Sequence, residues 1–273
     1  MLRPAILSII FVLFTAFSAG ARDLATITVG DGPSEAYSAK LRQALAAKFT
    51  ILDDGLASAA FASFKYQTPM NLTQSEAAAA GLAIGCDAFL IVNAGTIRRS
   101  SFKTPVYFES FASVFLVETR TGTLLKWFGP RVEAPTENDS LTALLATASN
   151  VGNSVAELLN GQKQTIEETP ASIEILPDSP EKGLKPPIPY RRIKPVYTEA
   201  AETLGIAATV EILVDIGSDG AILRTSISRW AGFGLDKSVE QAVRAMNWRP
   251  AYRDGRPIAM RVLLRYNFKR LKD

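Results

Sequence analysis

The sequence predicts a two-domain protein of mixed α/β and α+β class, with a mixed sheet in its first domain and a small antiparallel sheet in its second. Three observations lead to this prediction. Residues 23–160 alternate strand-like and helix-like apolar patterns, residues 161–192 are rich in proline, and residues 193–273 follow the order αββαβ. A length of 273 residues, 47% of them hydrophobic and 21% charged, suits two globular domains.

Residues 1–21 have the pattern of an export signal. Arg3 makes the start basic, and the apolar run at 4–18 is shorter than the roughly 20 residues of a membrane-spanning helix. Ala-Gly-Ala at 19–21 is typical of a signal-peptidase site. An uncleaved inner-membrane anchor is the alternative. Both interpretations place the rest of the chain outside the cytoplasm.

The first domain, residues 23–160, is predicted to order its elements as βαβ, helices, three strands and a final helix. Thr73 and Glu76 form a capping box that begins an alanine-rich helix ending at Gly85. Apolar residues at helical spacing from 141 to 158 predict one long helix, which Asn160-Gly161 ends. The strand-like runs lie at 24–29, 49–52, 87–95, 106–119 and 123–128.

Two short stretches of this domain imitate catalytic or nucleotide-binding motifs. The sequence VGDGPSE at 29–35 follows a strand as a dinucleotide fingerprint would, but Glu35 stands where the third glycine belongs. A turn in which Ser34 caps the next helix is the preferred interpretation. Asp53 and Asp54 are adjacent, so as strand-end residues they would point to opposite sides and are better read as a solvated turn than as an acid–base pair.

The composition argues against metal-dependent and histidine-dependent catalysis. The chain has no histidine, the commonest general base and a common zinc ligand. Its single cysteine, Cys86, lies in an apolar stretch and is interpreted as a buried structural thiol. We therefore predict a protein that is not an enzyme, with no cofactor and no metal site.

Residues 161–192 are predicted to be a stiff, extended linker. Six prolines lie among charged and polar residues there, at positions 170, 177, 180, 186, 187 and 189. Charge changes across this segment: residues 161–183 carry 2 basic and 5 acidic groups, whereas residues 184–273 carry 16 basic and 9 acidic groups. A basic domain can have an anionic partner, but the export signal argues against nucleic acid.

The second domain, residues 193–273, is predicted to be a three-stranded antiparallel sheet with helices on one face. A short helix at 198–204 precedes a hairpin whose turn is the GSDG at 217–220. A helix follows, and residues 258–268 form the last strand. Its two faces alternate. Ile258, Met260, Val262, Leu264, Tyr266 and Phe268 are expected to face the core. Trp248 is expected to pack in the core, and Trp230 could pack there or serve a ligand.

Residues 193–269 resemble the C-terminal domain of the TonB family. The resemblance rests on Tyr197 and the following EAAETLGI, the hairpin at Asp219-Gly220, GLD at 234–236, WRPA at 248–251 and GRPI at 255–258. Thr198 departs from the proline usual after the tyrosine, and Ala208 from the glycine usual at the first strand.

The resemblance implies a periplasmic domain that binds an extended segment of an outer-membrane transporter by adding it to the edge of the last strand. Applied to this sequence, the resemblance implies that the docking edge is the strand 258–268. The partner-binding residues would be Arg261, Leu263, Arg265 and Asn267. Two interpretations of the arginines stay open. They are either solvated charges that protect an edge strand, or contacts to an acidic transporter segment, peptidoglycan or lipid head groups.

Energy transducers of this family also carry a membrane anchor with a serine and a histidine that engage the ExbB–ExbD motor. This chain has no histidine, so the resemblance does not extend to motor coupling. Residues 24–160 are more distantly similar to CsgG-like and TolB amino-terminal-like periplasmic domains, through LAIGCDAFLIV and SVFLVETRTGTLLKWFG. The sequence thus predicts a non-catalytic periplasmic protein that binds an envelope partner, such as a TonB-dependent receptor, by strand addition and is linked to transport. The alternative is an envelope-assembly scaffold, and the free edge also allows a homodimer.

Overall fold

The computed structural model describes residues 22–103, 105–161, 173–177 and 179–269. The predicted export segment at 1–21 and part of the predicted linker lie outside these residues. Within the described ranges, none of the helices combines the length and apolar character needed to cross a bilayer.

The first module, residues 22–161, is built on a six-stranded sheet. Its strands are β1 (Asp23–Thr28), β2 (Thr50–Ile51), β3 (Ala88–Arg99), β4 (Tyr107–Glu118), β5 (Leu124–Phe128) and β6 (Arg131–Ala134). The order is β2-β1-β3-β4-β5, with β6 also paired to β4. β1 runs parallel to β2 and β3, and the other pairs are antiparallel, so the sheet is mixed.

Five helices cover this sheet: α1 (Pro33–Leu45), α2 (Asp54–Ala62), α3 (Gln74–Ile84), α4 (Glu137–Ala146) and α5 (Ala148–Gly161). α3 begins at the Thr73–Glu76 capping box and ends at Gly85, which adopts the left-handed conformation. The sequence predicts one long final helix, but the structure has two, α4 and α5. They meet at Thr147, whose hydroxyl donates to the Leu144 carbonyl and so competes with the helical hydrogen bonds.

Ser34 does not cap α1, contrary to the sequence interpretation. The N-cap is Gly32, with Pro33 in the first turn and no side-chain cap. The Ser34 hydroxyl is buried instead. It donates to the Ala94 carbonyl at 3.0 Å and accepts from the Ala94 N–H at 2.9 Å. It therefore ties the start of α1 to β3.

The strap, residues 173–177 and 179–192, replaces the free linker that the prolines predict. It contains three two-residue strands, β7 (Glu174–Ile175), β8 (Leu184–Lys185) and β9 (Ile188–Pro189). Prolines hold the chain extended, and here the extended chain pairs with the second module rather than running through solvent.

The second module, residues 193–269, contains two helices and six strands. These are α6 (Glu199–Thr203), β10 (Ala208–Ile216), β11 (Ile222–Arg229), α7 (Leu235–Arg244), β12 (Trp248–Arg249), β13 (Ala251–Arg253), β14 (Arg256–Ile258) and β15 (Met260–Phe268). The main sheet has the order β11-β10-β15-β7. The sequence predicts three antiparallel strands. The structure adds β7 as a fourth, which runs parallel to β15 because the strap returns along its edge.

The strap is held at two further places. β8 pairs with β13, and β9 pairs with β12 so that Pro189 lies opposite Trp248. Trp248 is buried in the core, as predicted. The YRDGRP stretch at 252–257 lies in the small hairpin of β13 and β14, which receives β8.

The two modules share one hydrophobic cluster. Trp230 is 1% exposed and lies against Phe115, with ring centroids 5.7 Å apart. Its indole N–H donates to the Gly122 carbonyl of the first module. Phe233 packs on Phe115 and on Trp127. Gly232 has a φ of 70° and leaves no room for a side chain beside Phe115, which explains a glycine at this contact.

Asn71 forms a polar joint between the modules. Its amide donates to the carbonyls of Thr209 and Trp230, at 2.8 and 2.7 Å, and its oxygen accepts from the Thr209 N–H at 3.0 Å. Arg229 donates to the Asn71 carbonyl, and the Trp230 N–H donates to that of Leu72. The loop before α3 is therefore bonded to the ends of β10 and β11.

Candidate partner-binding site

A groove of about 510 Å³ runs along the outer edge of β15. One wall is β15 from Val262 to Tyr266. The opposite wall is the strap and the residues that follow it, including Pro187 and residues 192–195. Met246 and Trp248 lie between the walls. The groove is open and lined mostly by apolar residues, which suits an extended peptide segment.

The main chain of β15 presents hydrogen-bonding groups to this groove. The Arg261 carbonyl accepts from the Leu176 N–H at 2.9 Å, so the polar groups of Arg261 face away from β10. In an antiparallel pair, alternate residues direct their N–H and C=O to opposite edges. The N–H and C=O of Leu263 and Arg265 therefore face the groove too. Within the described ranges, β7 pairs only with Met260 and Arg261 and does not cover the main-chain groups of Leu263 and Arg265.

Arg261 lies on the outer face of the sheet, where it binds Asp215 of β10. Its guanidinium donates to both carboxylate oxygens, and Asp215 is only 2% exposed. The hydrogen bonds with Asp215 raise the pKa of Arg261, which keeps the ion pair charged. Arg224 of β11 lies 3.9 Å from the same carboxylate. The Arg261 side chain is therefore held on the sheet by Asp215.

Arg265 occupies the equivalent place four residues further along the same face. Its Nε donates to Glu211 at 2.7 Å, and Arg229 lies 3.8 Å from the same carboxylate. Its side chain is 60% exposed, whereas that of Arg261 is 22% exposed. Arg265 also lines the groove. It can reach a partner while keeping its contact with Glu211.

Leu263 and Asn267 complete the predicted set. Leu263 is 49% exposed and lines the groove. Asn267 is exposed and accepts from the Thr209 hydroxyl at 2.8 Å. The structure therefore places all four predicted residues on the outer face of one strand, but only Leu263 and Arg265 line the groove.

Sequence reasoning missed the two acids of β10 and the strap wall. The signal for the acids was available, because Glu211 and Asp215 alternate with Val210, Ile212 and Val214 and share a face with the arginines of β15. The strap gave no such signal. Its prolines and charges are typical of a linker, and only its pairing partners make it a wall.

The charge of the groove favours an anionic occupant. Arg192, Lys194 and Arg265 line it, and no acidic residue is among the described residues that form its walls. Tyr266 also lines it. Burial raises the pKa of this phenol, and Arg192 opposes that rise. An extended segment with apolar residues and a carboxylate matches this surface.

The aspartates at 53 and 54 and the single cysteine, which the sequence analysis also considered, have structural contacts. Asp53 caps α2 by accepting from the Leu56 N–H, and Asp54 pairs with Arg42. Cys86 is buried, and burial raises the pKa of its thiol. In the described part of the chain, no group of three or more acidic or cysteine side chains is arranged to hold a metal ion.

The last strand of the main sheet thus borders an apolar groove, and β7 covers only the Arg261 end of its outer edge. Residues 193–270 match the family described as Gram-negative bacterial TonB protein C-terminal. This part of the chain is a TonB C-terminal domain.

Several solved structures are similar to this chain. The TonB C-terminal domain of Pseudomonas aeruginosa is 28% identical over 34% of this chain and 92% of that one, with a TM-score of 0.28. Lipoprotein GNA1162 of Neisseria meningitidis is 15% identical over 50% and 99%, with a TM-score of 0.35. The LpoB C-terminal domain of Salmonella enterica is 20% identical over 43% and 87%, with a TM-score of 0.27. No curated protein matches the chain.

Proposed function

We propose that this is a non-catalytic protein of the Gram-negative periplasm that binds an envelope protein by adding an extended segment of it to the edge of β15. One observation carries the proposal: the main-chain groups of Leu263 and Arg265 face an open apolar groove. Main-chain hydrogen bonds would supply affinity, and alternate side chains of the partner would supply specificity.

The partner that fits is an extended segment with apolar residues and at least one carboxylate. Arg192, Lys194 and Arg265 provide the complementary charge. The amino-terminal segment of a TonB-dependent receptor has the required extended form, and the family match supports this class of partner. Coupling to the ExbB–ExbD motor is not part of the proposal.

An envelope-assembly scaffold is the second candidate. The shared cluster around Trp230 and Phe115 favours it, because a TonB-like domain packed against a second module is not free to extend toward a distant receptor. In that case the groove would bind a neighbouring assembly component. The predicted similarity of the first module to CsgG-like and TolB-like domains belongs to this candidate.

Site-specific crosslinking tests the proposal in the full exported chain. A photoreactive phenylalanine at Leu263 should crosslink a partner in the periplasm, and mass spectrometry of the product should identify an extended apolar and acidic segment. Leu223 is the matched control, because it is 58% exposed on β11, the opposite edge strand of the sheet. Equal crosslinking from both positions, or none from Leu263, would contradict the docking role.

A proline substitution distinguishes the contribution of the Leu263 main chain to partner binding from that of its side chain. Leu263→Pro removes an N–H that faces the groove and leaves the pairing with β10 in place. Leu263→Ala keeps that N–H. Crosslinking from a photoreactive residue at Arg265 should fall with Leu263→Pro and persist with Leu263→Ala.

Sequencing the amino terminus of the exported protein would distinguish a cleaved signal peptide from an uncleaved membrane anchor.

A further inference from the structure

The outer edge of β15 is already occupied at one end by the chain itself. β7 pairs parallel to it, with Glu174 opposite Met260 and Ile175 opposite Arg261. Arg261, Leu263, Arg265 and Asn267 direct their main-chain groups to this edge, and β7 covers the first of them. A strand that used the whole edge would have to take the place of β7.

The hold of β7 on the edge is weak. It has only two residues in register, and Ile175 is 64% exposed. Glu174 forms an ion pair with Arg253, but both side chains are more than a third exposed, and such pairs contribute little. Leu176 is the one member of this stretch that packs on the hydrophobic cluster. Few contacts would be lost when β7 leaves.

The strap nevertheless keeps β7 close to the edge. β8 and β9 hold later residues of the strap on β13 and β12, so the eight residues from 176 to 183 tether β7 beside the edge of β15. A tether of this kind gives an effective concentration in the millimolar range. Even a weak strand then competes with a partner that is present at lower concentration.

We infer that β7 is an internal competitor that covers the Arg261 end of the docking edge until a partner strand displaces it. This inference rests on the proposed function, since it describes the regulation of the same edge. Displacement would free the main-chain groups of Arg261 for the partner and release Glu174 from Arg253, so binding at this edge would also loosen the strap.

Two adjacent proline substitutions in the full chain test this inference. In the parallel ladder the Leu176 N–H donates to Arg261, whereas the Ile175 N–H points away from β15. Leu176→Pro therefore frees the edge, and Ile175→Pro leaves the pairing intact. Leu176→Ala is a second control, which removes the side chain and keeps the N–H.

The probe is a fluorescent peptide with the sequence of residues 171–177, Ala-Ser-Ile-Glu-Ile-Leu-Pro. We expect the Leu176→Pro chain to bind it about tenfold more tightly than the wild type by fluorescence anisotropy, because the tethered competitor is gone. Ile175→Pro should bind like the wild type, and Leu176→Ala should gain less than Leu176→Pro, because it loses the packing of the Leu176 side chain but keeps the N–H that donates to Arg261. Equal binding by Leu176→Pro and wild type, an equal gain in Leu176→Ala, or no binding to any chain would overturn the inference.

This result is independent of the crosslinking at Leu263. If the peptide experiment fails while Leu263 still crosslinks a partner, the docking edge operates without an internal competitor. If Leu176→Pro gains affinity while Leu263 crosslinks nothing, β7 is displaceable but the edge is not a partner site.

Discussion

At the scale of single residues, Asp236 shows how one carboxylate organises the contact between the modules. It lies in the first turn of α7, and its two oxygens accept from the N–H groups of Ala231 and Gly232, at 2.8 and 2.7 Å. These residues belong to the loop that packs on Phe115. The carboxylate therefore fixes a loop of the second module in the shape that fits the first.

Burial raises the pKa of Asp236 from 3.8 to about 6, and the three backbone hydrogen bonds only partly oppose this rise. The folded state therefore binds a proton more tightly than the unfolded state, and stability must fall as the pH rises through this range. A pKa difference of this size corresponds to roughly 3 kcal/mol, and partial exposure of the side chain to solvent reduces it.

We therefore predict that the unfolding free energy of the wild type, minus that of Asp236→Asn, falls by about 1–3 kcal/mol between pH 4 and pH 7. Asparagine does not titrate, so the other groups cancel in the difference. Urea denaturation at a series of pH values measures this quantity. A difference that stays constant with pH would contradict the assignment.

At the scale of elements, β15 carries two arginines that the alternation of the sequence makes equivalent. Both face outward, and both meet an acid of β10 that a second arginine of β11 also approaches. The two ion pairs differ in how far they are buried. Asp215 is almost inaccessible beneath Arg261, whereas the Arg265 side chain is mostly in solvent. We infer that the Arg261 side chain stabilises the sheet, whereas the Arg265 side chain is available to a partner in the groove.

This assignment predicts a difference between two matched substitutions. Arg261→Ala should lower the unfolding free energy by about 2–4 kcal/mol, because it leaves the buried Asp215 with only the more distant Arg224. Arg265→Ala should lower it less, by about 1 kcal/mol, because the Arg265 side chain is 60% exposed and the buried Glu211 keeps Arg229 nearby. Denaturant titrations of both variants would show this, and equal losses would mean that burial does not distinguish the two pairs.

At the scale of the whole molecule, the shared cluster makes the two modules one packing unit. Phe115 of β4 contacts both Trp230 and Phe233 of the second module, and Asn71 adds three hydrogen bonds across the same boundary. Buried aromatic contacts of this kind stabilise strongly. Neither module can then unfold without exposing apolar surface of the other.

We predict that both modules unfold in one transition. The lone Cys86 reports the first module through its reactivity with a thiol reagent. In a Trp127→Phe background, the remaining tryptophans, Trp230 and Trp248, report the second module by fluorescence. The two urea midpoints should coincide.

Phe115→Ala sharpens this test. It should move both midpoints together and cost about 3–5 kcal/mol, as for a buried phenylalanine. Phe64→Ala is the matched control, since Phe64 is 39% exposed and should cost much less. A shift confined to the Cys86 transition would show that the modules are independent.

By itself, the sequence predicted the main helices and strands of each module, the α3 capping box, the alternating faces of β15 and the TonB-like character of residues 193–269. These features depend on residues close in the chain, whose spacing fixes which side of a helix or strand is apolar. Only the tertiary structure decided that the proline-rich segment is a strap, that β7 covers part of the docking edge, and that Arg261 and Arg265 differ. Spacing marks a face as apolar or charged, but which element covers that face depends on contacts between residues far apart in the chain. Asp215 lies 46 residues from Arg261, and Trp230 lies 108 residues from Gly122.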